Sequence, residues 1–263
     1  MDTDYSKTPS YFNNCEYFNK YLGKTSYYSA LQDALCTLIT RVKPERVLEL
    51  GCALGTTTFM LADKFPDIEF SGLDLRPDIV TKTNKQQENR DIMGKENAAF
   101  IRADMLEFAK SDELSGYDFV FMLYSFHHIE DPQDKKVQFL RDMNQNMSKG
   151  AYLWIGETFL PDDGTTIEEL WTRRANEGYA STFWNSLKDY PRMSRETAYE
   201  AAEMSYDEEY KAGKFVNNRD DEYLVTRKWA GQAVRDAGFE IVINEPVNAF
   251  EDGVIFVKKT DSE

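Results

Sequence analysis

Val47-Leu48-Glu49-Leu50-Gly51-Cys52-Ala53-Leu54-Gly55-Thr56-Thr57-Thr58 runs from a short apolar stretch through a glycine-bearing turn into a segment suited to open a helix. Strand, turn and helix in that order make the first half of a βαβ unit. Glycine at positions 51 and 55 removes the side chains that would keep a ligand away from the backbone. The helix that follows offers N–H groups with no partner inside the helix, and these face the turn. Two ligand classes compete for such a place. A dinucleotide calls for Gly-x-Gly-x-x-Gly, with its pyrophosphate lying on the helix N-terminus. The pattern here is Gly51-x-Ala53-x-Gly55, and Glu49 stands two residues ahead of it. A carboxylate at that place repels a pyrophosphate and suits an ammonium group.

The chain on either side keeps the rhythm of a parallel sheet. Apolar runs at RVLEL (46–50), IEFSGLDL (68–75), AAFIRAD (98–104), YDFVFML (117–123) and AYLWIGE (151–157) read as buried strands, with polar, helix-length segments between them. Such alternation implies an α/β fold with helices on both faces of the sheet. Four stretches follow from it. Residues 1–43 are tyrosine-rich and form an N-terminal helical cap, in which Leu31, Leu35, Leu38 and Ile39 share one helix face. Residues 44–157 form the ligand-binding core. Residues 158–226 break the rhythm with a polar, aromatic stretch that reads as helices and loops. Residues 227–263 return to the core with a helix at 227–238, closed by Gly238, and strands at 239–246 and 253–259.

Composition narrows the partners. The chain has 263 residues, with 31 Lys and Arg against 46 Asp and Glu, and a formal net charge of −15. A nucleic-acid enzyme needs a basic footprint, and none stands out, so neither nucleic acid nor an anionic membrane is expected as a partner. No apolar run reaches the 18 or more residues of a membrane-spanning helix, and the N-terminal MDTDYSKTPSYFNNCEYF has neither the basic nor the apolar region of a signal peptide. Cys15, Cys36 and Cys52 show no metal-ligand spacing and no disulfide framework. A cytoplasmic location is the expectation, and no metal is expected. The oligomeric state is open, a homodimer included.

The order of motifs goes further. Glu49-x-Gly51-x-x-x-Gly55 after a first strand resembles the S-adenosylmethionine (SAM) motif of the class I methyltransferases, with Ala53 where the family usually has its middle glycine. Asp74, ending the second strand beside Leu75, resembles the acidic residue that holds the two ribose hydroxyls. Asp104, ending the third, resembles the aspartate that binds the adenine amino group, with Met105 against the ring. Leu123-Tyr124-Ser125-Phe126-His127-His128-Ile129-Glu130-Asp131-Pro132 resembles a segment found after the fourth strand in many small-molecule members, and Ser148-Lys149-Gly150 stands in for the family's Pro-Gly-Gly turn. The resemblance implies a seven-stranded, mostly parallel sheet with its last strand antiparallel, and a helical lid inserted after strand five. It implies SAM as cofactor, S-adenosylhomocysteine (SAH) as product, and a small molecule as substrate. The cofactor set is then Glu49, Gly51, Ala53, Gly55, Asp74, Leu75, Asp104, Met105, Leu123 and Tyr28.

The remaining residues admit more than one reading. His127 and His128 are the only histidines, and histidine is the natural general base near neutral pH. Adjacent side chains at a loop-to-helix junction are expected to point different ways, so one of the two reaches substrate, with His128 the first choice. Glu157 faces either the substrate or solvent. Asp104 is either a ligand for adenine or a helix N-cap. Tyr21, Trp171, Phe183 and Trp184 are either core aromatics or walls of a substrate pocket. Two other functions stay open: a protein on this fold that binds SAM without methylating, and a protein or RNA methyltransferase.

Overall fold

The computed structural model describes residues 26–130, 134–173, 223–248 and 251–260. Helix α1 (Ser26–Val42) leads into strand β1 (Arg46–Leu50), helix α2 (Thr56–Lys64), β2 (Glu69–Asp74), α3 (Pro77–Asp91), β3 (Ala98–Arg102) and the single turn α4 (Met105–Phe108). Strand β4 (Phe119–Leu123), a 3-10 turn (Phe126–His128), α5 (Asp134–Asn146), β5 (Tyr152–Thr158) and α6 (Ile167–Arg173) follow. Helix α7 (Arg227–Asp236) and strands β6 (Phe239–Pro246) and β7 (Asp252–Lys259) complete the described fold. The strand positions read from the sequence hold to within two residues, because each is an apolar run covered on both faces.

The seven strands lie in the order β3-β2-β1-β4-β5-β7-β6. The pairs among the first five strands are parallel, and β7 runs antiparallel between β5 and β6. Strand order grows outward from β1 through β3, then restarts on the other side at β4. The carboxyl ends of β1 and β4 therefore diverge, and the crevice between them is where an open α/β sheet takes its ligand.

Period-2 alternation sends the two halves of each strand into different cores. Val47, Phe70, Phe119, Phe121, Leu123, Trp154 and Phe256 meet Leu31, Leu35 and Ile39 of α1 and Leu61 of α2 on one face. Leu48, Leu50, Val120, Met122, Leu153, Ile155 and Val257 meet Phe139, Leu140 and Met143 of α5 and Ala233 and Val234 of α7 on the other. The apolar stripe read in α1 is buried along its length: Leu31, Leu35, Leu38 and Ile39 are each 8% exposed or less. Helix α7 starts on Thr226, whose side chain accepts the Trp229 N–H, and stops at Gly238 with φ 92°, a left-handed C-terminal cap that favours glycine.

The stretch after β5 leaves and rejoins the fold at one place. The Leu160 N–H donates to the Val225 carbonyl at 3.0 Å, and the Tyr223 N–H donates to the His127 carbonyl at 2.9 Å. Both ends of the insertion thus sit at the carboxyl edge of the sheet. Its middle, 174–222, with Phe183 and Trp184, lies outside the described residues, as does Tyr21.

Gly55 is the tightest point of the α2–sheet packing. Its φ is 68°, and a Cβ there would stand 2.6 Å from the Phe100 ring. Gly55→Ala combines a left-handed alanine with an overpacked aromatic, and should lower unfolding free energy by about 2–4 kcal/mol. Urea denaturation reads this as a lower midpoint with little change in slope.

Candidate functional site

The carboxyl edge at β1 and β2 is built around two carboxylates. Glu49 lies on the apolar α1/α2 face of β1 and is 3% exposed. Its Oε2 accepts the Thr58 N–H at 3.1 Å and also the Thr58 hydroxyl, in the first turn of α2. Burial pushes its carboxyl up to about 8, although both Thr58 bonds pull the other way. Asp74 ends β2 and joins two turns: Oδ2 accepts the Ala53 N–H at 3.0 Å and Oδ1 the Arg76 N–H at 2.9 Å. Each oxygen has a second lone pair, so the carboxylate can still accept two hydroxyl donors. Burial raises the Asp74 carboxyl above its ordinary value against those two backbone bonds.

The turn between them follows a left-handed course. Gly51 has φ 78°, Ala53 φ 45° and Gly55 φ 68°. Gly51 and Cys52 both donate their N–H to the Leu73 carbonyl, at 2.8 and 2.9 Å. The Ser125 hydroxyl donates to the Leu50 carbonyl at 2.6 Å, and a Cβ on Gly51 would stand 2.6 Å from the Ser125 Cβ. The turn is therefore clamped by β2 on one side and by the end of β4 on the other. Burial, with Glu49 and Asp74 adding to it, pushes the Cys52 thiol far up, so it stays protonated and is no nucleophile.

The other residues expected at a cofactor spread along the same edge. Leu75 is 40% exposed just past Asp74, and Leu123 is buried at the end of β4. Asp104 caps α4, its Oδ1 accepting the Leu106 N–H at 2.8 Å, which is the capping alternative; the cap engages one of its two oxygens. Met105 opens that helix and is half-buried. Tyr28 of α1 is buried, with its hydroxyl 3.3 Å from the Thr57 hydroxyl and its ring 5.6 Å from that of Tyr124. Tyr124 itself has φ 52°. Ala53 and Tyr124, both non-glycine residues in the left-handed region, thus flank the crevice from β1 and from β4. Strain of this kind persists where the surroundings over-determine the backbone.

On the β4 and β5 side, Glu157 is 2% exposed rather than on the surface. Its Oε1 lies 2.9 Å from His127 Nδ1, and its Oε2 accepts the His127 N–H at 3.1 Å. The two histidine rings do not diverge: their centroids are 4.0 Å apart. The 3-10 turn places successive residues side by side, close enough for two flat rings to touch. His127 is buried and His128 half-buried. Lys136, fully buried at the start of α5, donates to the Ile129 carbonyl and lies 5.4 Å from the Phe126 ring and 5.8 Å from the Tyr223 ring. It binds the histidine turn to the returning end of the insertion. Trp171 falls within α6. Ser125, Tyr124, Thr58 and Lys136 carried no signal in the sequence, since each acts through a partner that only the folded chain brings near.

A sheet of this order, with its acidic turn at the β1/β4 crevice, matches a known domain model. Residues 48–153 match the family described as "Methyltransferase domain". The chain carries a class I methyltransferase domain. The ajmaline N-methyltransferase of Rauvolfia serpentina is 26% identical over 113 residues, 43% of this chain and 36% of that protein. An O-methyltransferase family protein from Burkholderia thailandensis superimposes with a TM-score of 0.58 at 15% identity, covering 97% of this chain and 63% of that one. Human N-acetylserotonin methyltransferase, in complex with SAM, does so with a TM-score of 0.51 at 14% identity, covering 83% and 48%. The chain spans less than two thirds of the length of each of these relatives, and the two structural likenesses are likenesses of fold. The methyltransferase domain ends inside β5, so the Glu157 carboxylate lies just beyond the matched residues.

Two outcomes test the domain's signature turn. Ala53→Gly should raise unfolding free energy by about 0.5–1 kcal/mol by relieving a left-handed alanine, seen as a higher urea midpoint. The Glu49 carboxyl ionises near 4.5 in the unfolded chain and near 8 when folded, so stability is lost as pH rises between those values. Glu49→Gln removes that loss: its melting temperature relative to wild type should climb between about pH 5 and about pH 8. A constant difference across that window refutes the buried, protonated carboxyl.

Proposed function

We propose that the protein is a SAM-dependent methyltransferase acting on a small molecule. The observation that carries the reading is the joining of Glu49, Asp74 and the left-handed Gly51–Gly55 turn at the β1/β4 switch point of a methyltransferase domain. The residues fit the cofactor. Glu49 faces the ammonium group of the methionine end, and Asp74 takes the ribose hydroxyls on the lone pairs that Ala53 and Arg76 leave. Asp104 and Met105 hold adenine, with Leu75 beside it. Leu123 and Tyr28 close over the methionine end, and Gly51, Ala53 and Gly55 let the ligand reach the backbone.

When bound, SAM supplies a methyl group made electrophilic by its sulfonium, and SAH is released as a neutral thioether. The chain's task is then alignment and the exclusion of water. His127, His128 and Glu157 stand on the substrate side. The insertion, rooted at Leu160 and Tyr223, supplies Trp171, Phe183 and Trp184, with Tyr21 from the N-terminal cap, as walls of a pocket that takes a small molecule and not nucleic acid or a membrane. The domain division follows: cap 1–43, core 44–157, lid 158–226, and core again from 227. Among the described residues no helix is long and apolar enough to cross a membrane. A cytoplasmic enzyme, with a homodimer allowed, fits that and the reduced Cys36 and Cys52.

Isothermal titration tests the reading. SAM and SAH should bind, and NAD should not. Binding of NAD with neither SAM nor SAH overturns the proposal. Asp74→Ala should weaken SAH by about 1.5–3 kcal/mol, or roughly 10- to 150-fold, through the loss of charge-assisted hydrogen bonds. An unchanged affinity removes Asp74 from the ribose site.

A further inference from the structure

Glu157 gathers three donors on one buried carboxylate. His127 Nδ1 lies 2.9 Å from Oε1, the Thr158 N–H donates to Oε1 at 2.9 Å, and the His127 N–H donates to Oε2 at 3.1 Å. An ionised carboxylate only accepts, so the ring nitrogen facing it must carry the hydrogen. In a neutral imidazole the lone pair then sits on Nε2, because the hydrogen bond of one nitrogen sets the state of the other. The turn that carries the ring is fixed at both of its own ends, by Tyr223 N–H on the His127 carbonyl and by Lys136 on the Ile129 carbonyl. His128, with its ring centroid 4.0 Å away, is the other titratable group against the imidazole.

We propose that Glu157 is a positioning residue that holds His127 as the Nδ1–H tautomer, so that Nε2 takes the proton of a substrate hydroxyl as that oxygen is methylated. This rests on the methyltransferase reading above. A neutral amine presents its lone pair without help, whereas a hydroxyl arrives carrying its proton, and a carboxylate-oriented imidazole is what removes it. The O–H bond breaks and the proton goes to Nε2. The resulting imidazolium is stabilised by the Glu157 carboxylate at Nδ1, and loses its proton to solvent after release of the methyl ether. The substrate class assigned is therefore an alcohol or a phenol.

The test uses the two-histidine content of the whole chain. In 15N-labelled protein the imidazole nitrogens form two sets of signals, and His128→Gln identifies which belongs to His127. With SAH bound, above the titration of the rings, the wild type should show His127 with its hydrogen on Nδ1. Glu157→Gln cannot offer acceptors to all three N–H groups, and should move His127 to a mixture of tautomers. A wild-type His127 protonated on Nε2 overturns the proposal whether or not the variant folds, and so does an unchanged tautomer in the variant. Methyl transfer by the wild type to aniline probes, undiminished in Glu157→Gln, overturns the hydroxyl assignment. Calorimetry of SAH on the same samples keeps the two readings apart: failure of SAH to bind wild-type protein sinks the methyltransferase reading, while normal binding with the wrong tautomer sinks only this one.

Discussion

The bond between the Glu49 carboxylate and the first turn of α2 sets the geometry of the whole carboxyl edge. Strand β1 is covered on both faces, so an acid on it has no water to turn to and must find donors in the chain. Thr58 provides them, with an N–H that the helix itself leaves unpaired. This fixes where α2 begins, and so how the turn from Gly51 to Gly55 must run. Asp74 then captures the Ala53 N–H inside that turn and the Arg76 N–H beyond β2. Ser125 secures the same turn from β4. Three strands are thereby registered against one five-residue loop.

This part of the molecule was legible in the sequence because its partners are close in the chain or repeat with a period. Strand RVLEL and the stripe Leu31, Leu35, Leu38 and Ile39 are patterns of spacing, and spacing survives without coordinates. Glu49, Asp74 and Asp104 were recognisable because each follows an apolar run, and the end of a parallel strand is where a polar residue has a purpose. The capping bond of Asp104 shows the limit of that logic. The same position serves a helix and suits a ligand, and no pattern distinguishes the two.

The β4 and β5 side was less legible for a physical reason. His127 and Glu157 are 30 residues apart in the chain and meet because β4 and β5 pair in parallel, with Leu123 beside Gly156. Nothing in the local sequence of either residue carries that register. Reading adjacent histidines as divergent failed for a similar reason, since it supposed a helix or an extended chain where a 3-10 turn forms. Lys136 is the plainest case. A lysine near the start of a polar helix reads as a surface charge, and it is buried only because Phe126, Ile129 and Tyr223 converge on it.

The hydrogen bonds at Leu160 and Tyr223 place both roots of the insertion at one point, and that has a consequence for how such a chain can vary. A loop whose ends are already held together costs little more when it is lengthened: each doubling adds only about 0.6 kcal/mol of closure entropy. The strands β6 and β7 register on β5 whatever length of chain intervenes. Evolution is thus free to rewrite the segment between the roots, in size as well as in side chains, without renegotiating the sheet. New pockets can be tried at nearly constant fold stability, and one framework can diverge across many acceptors.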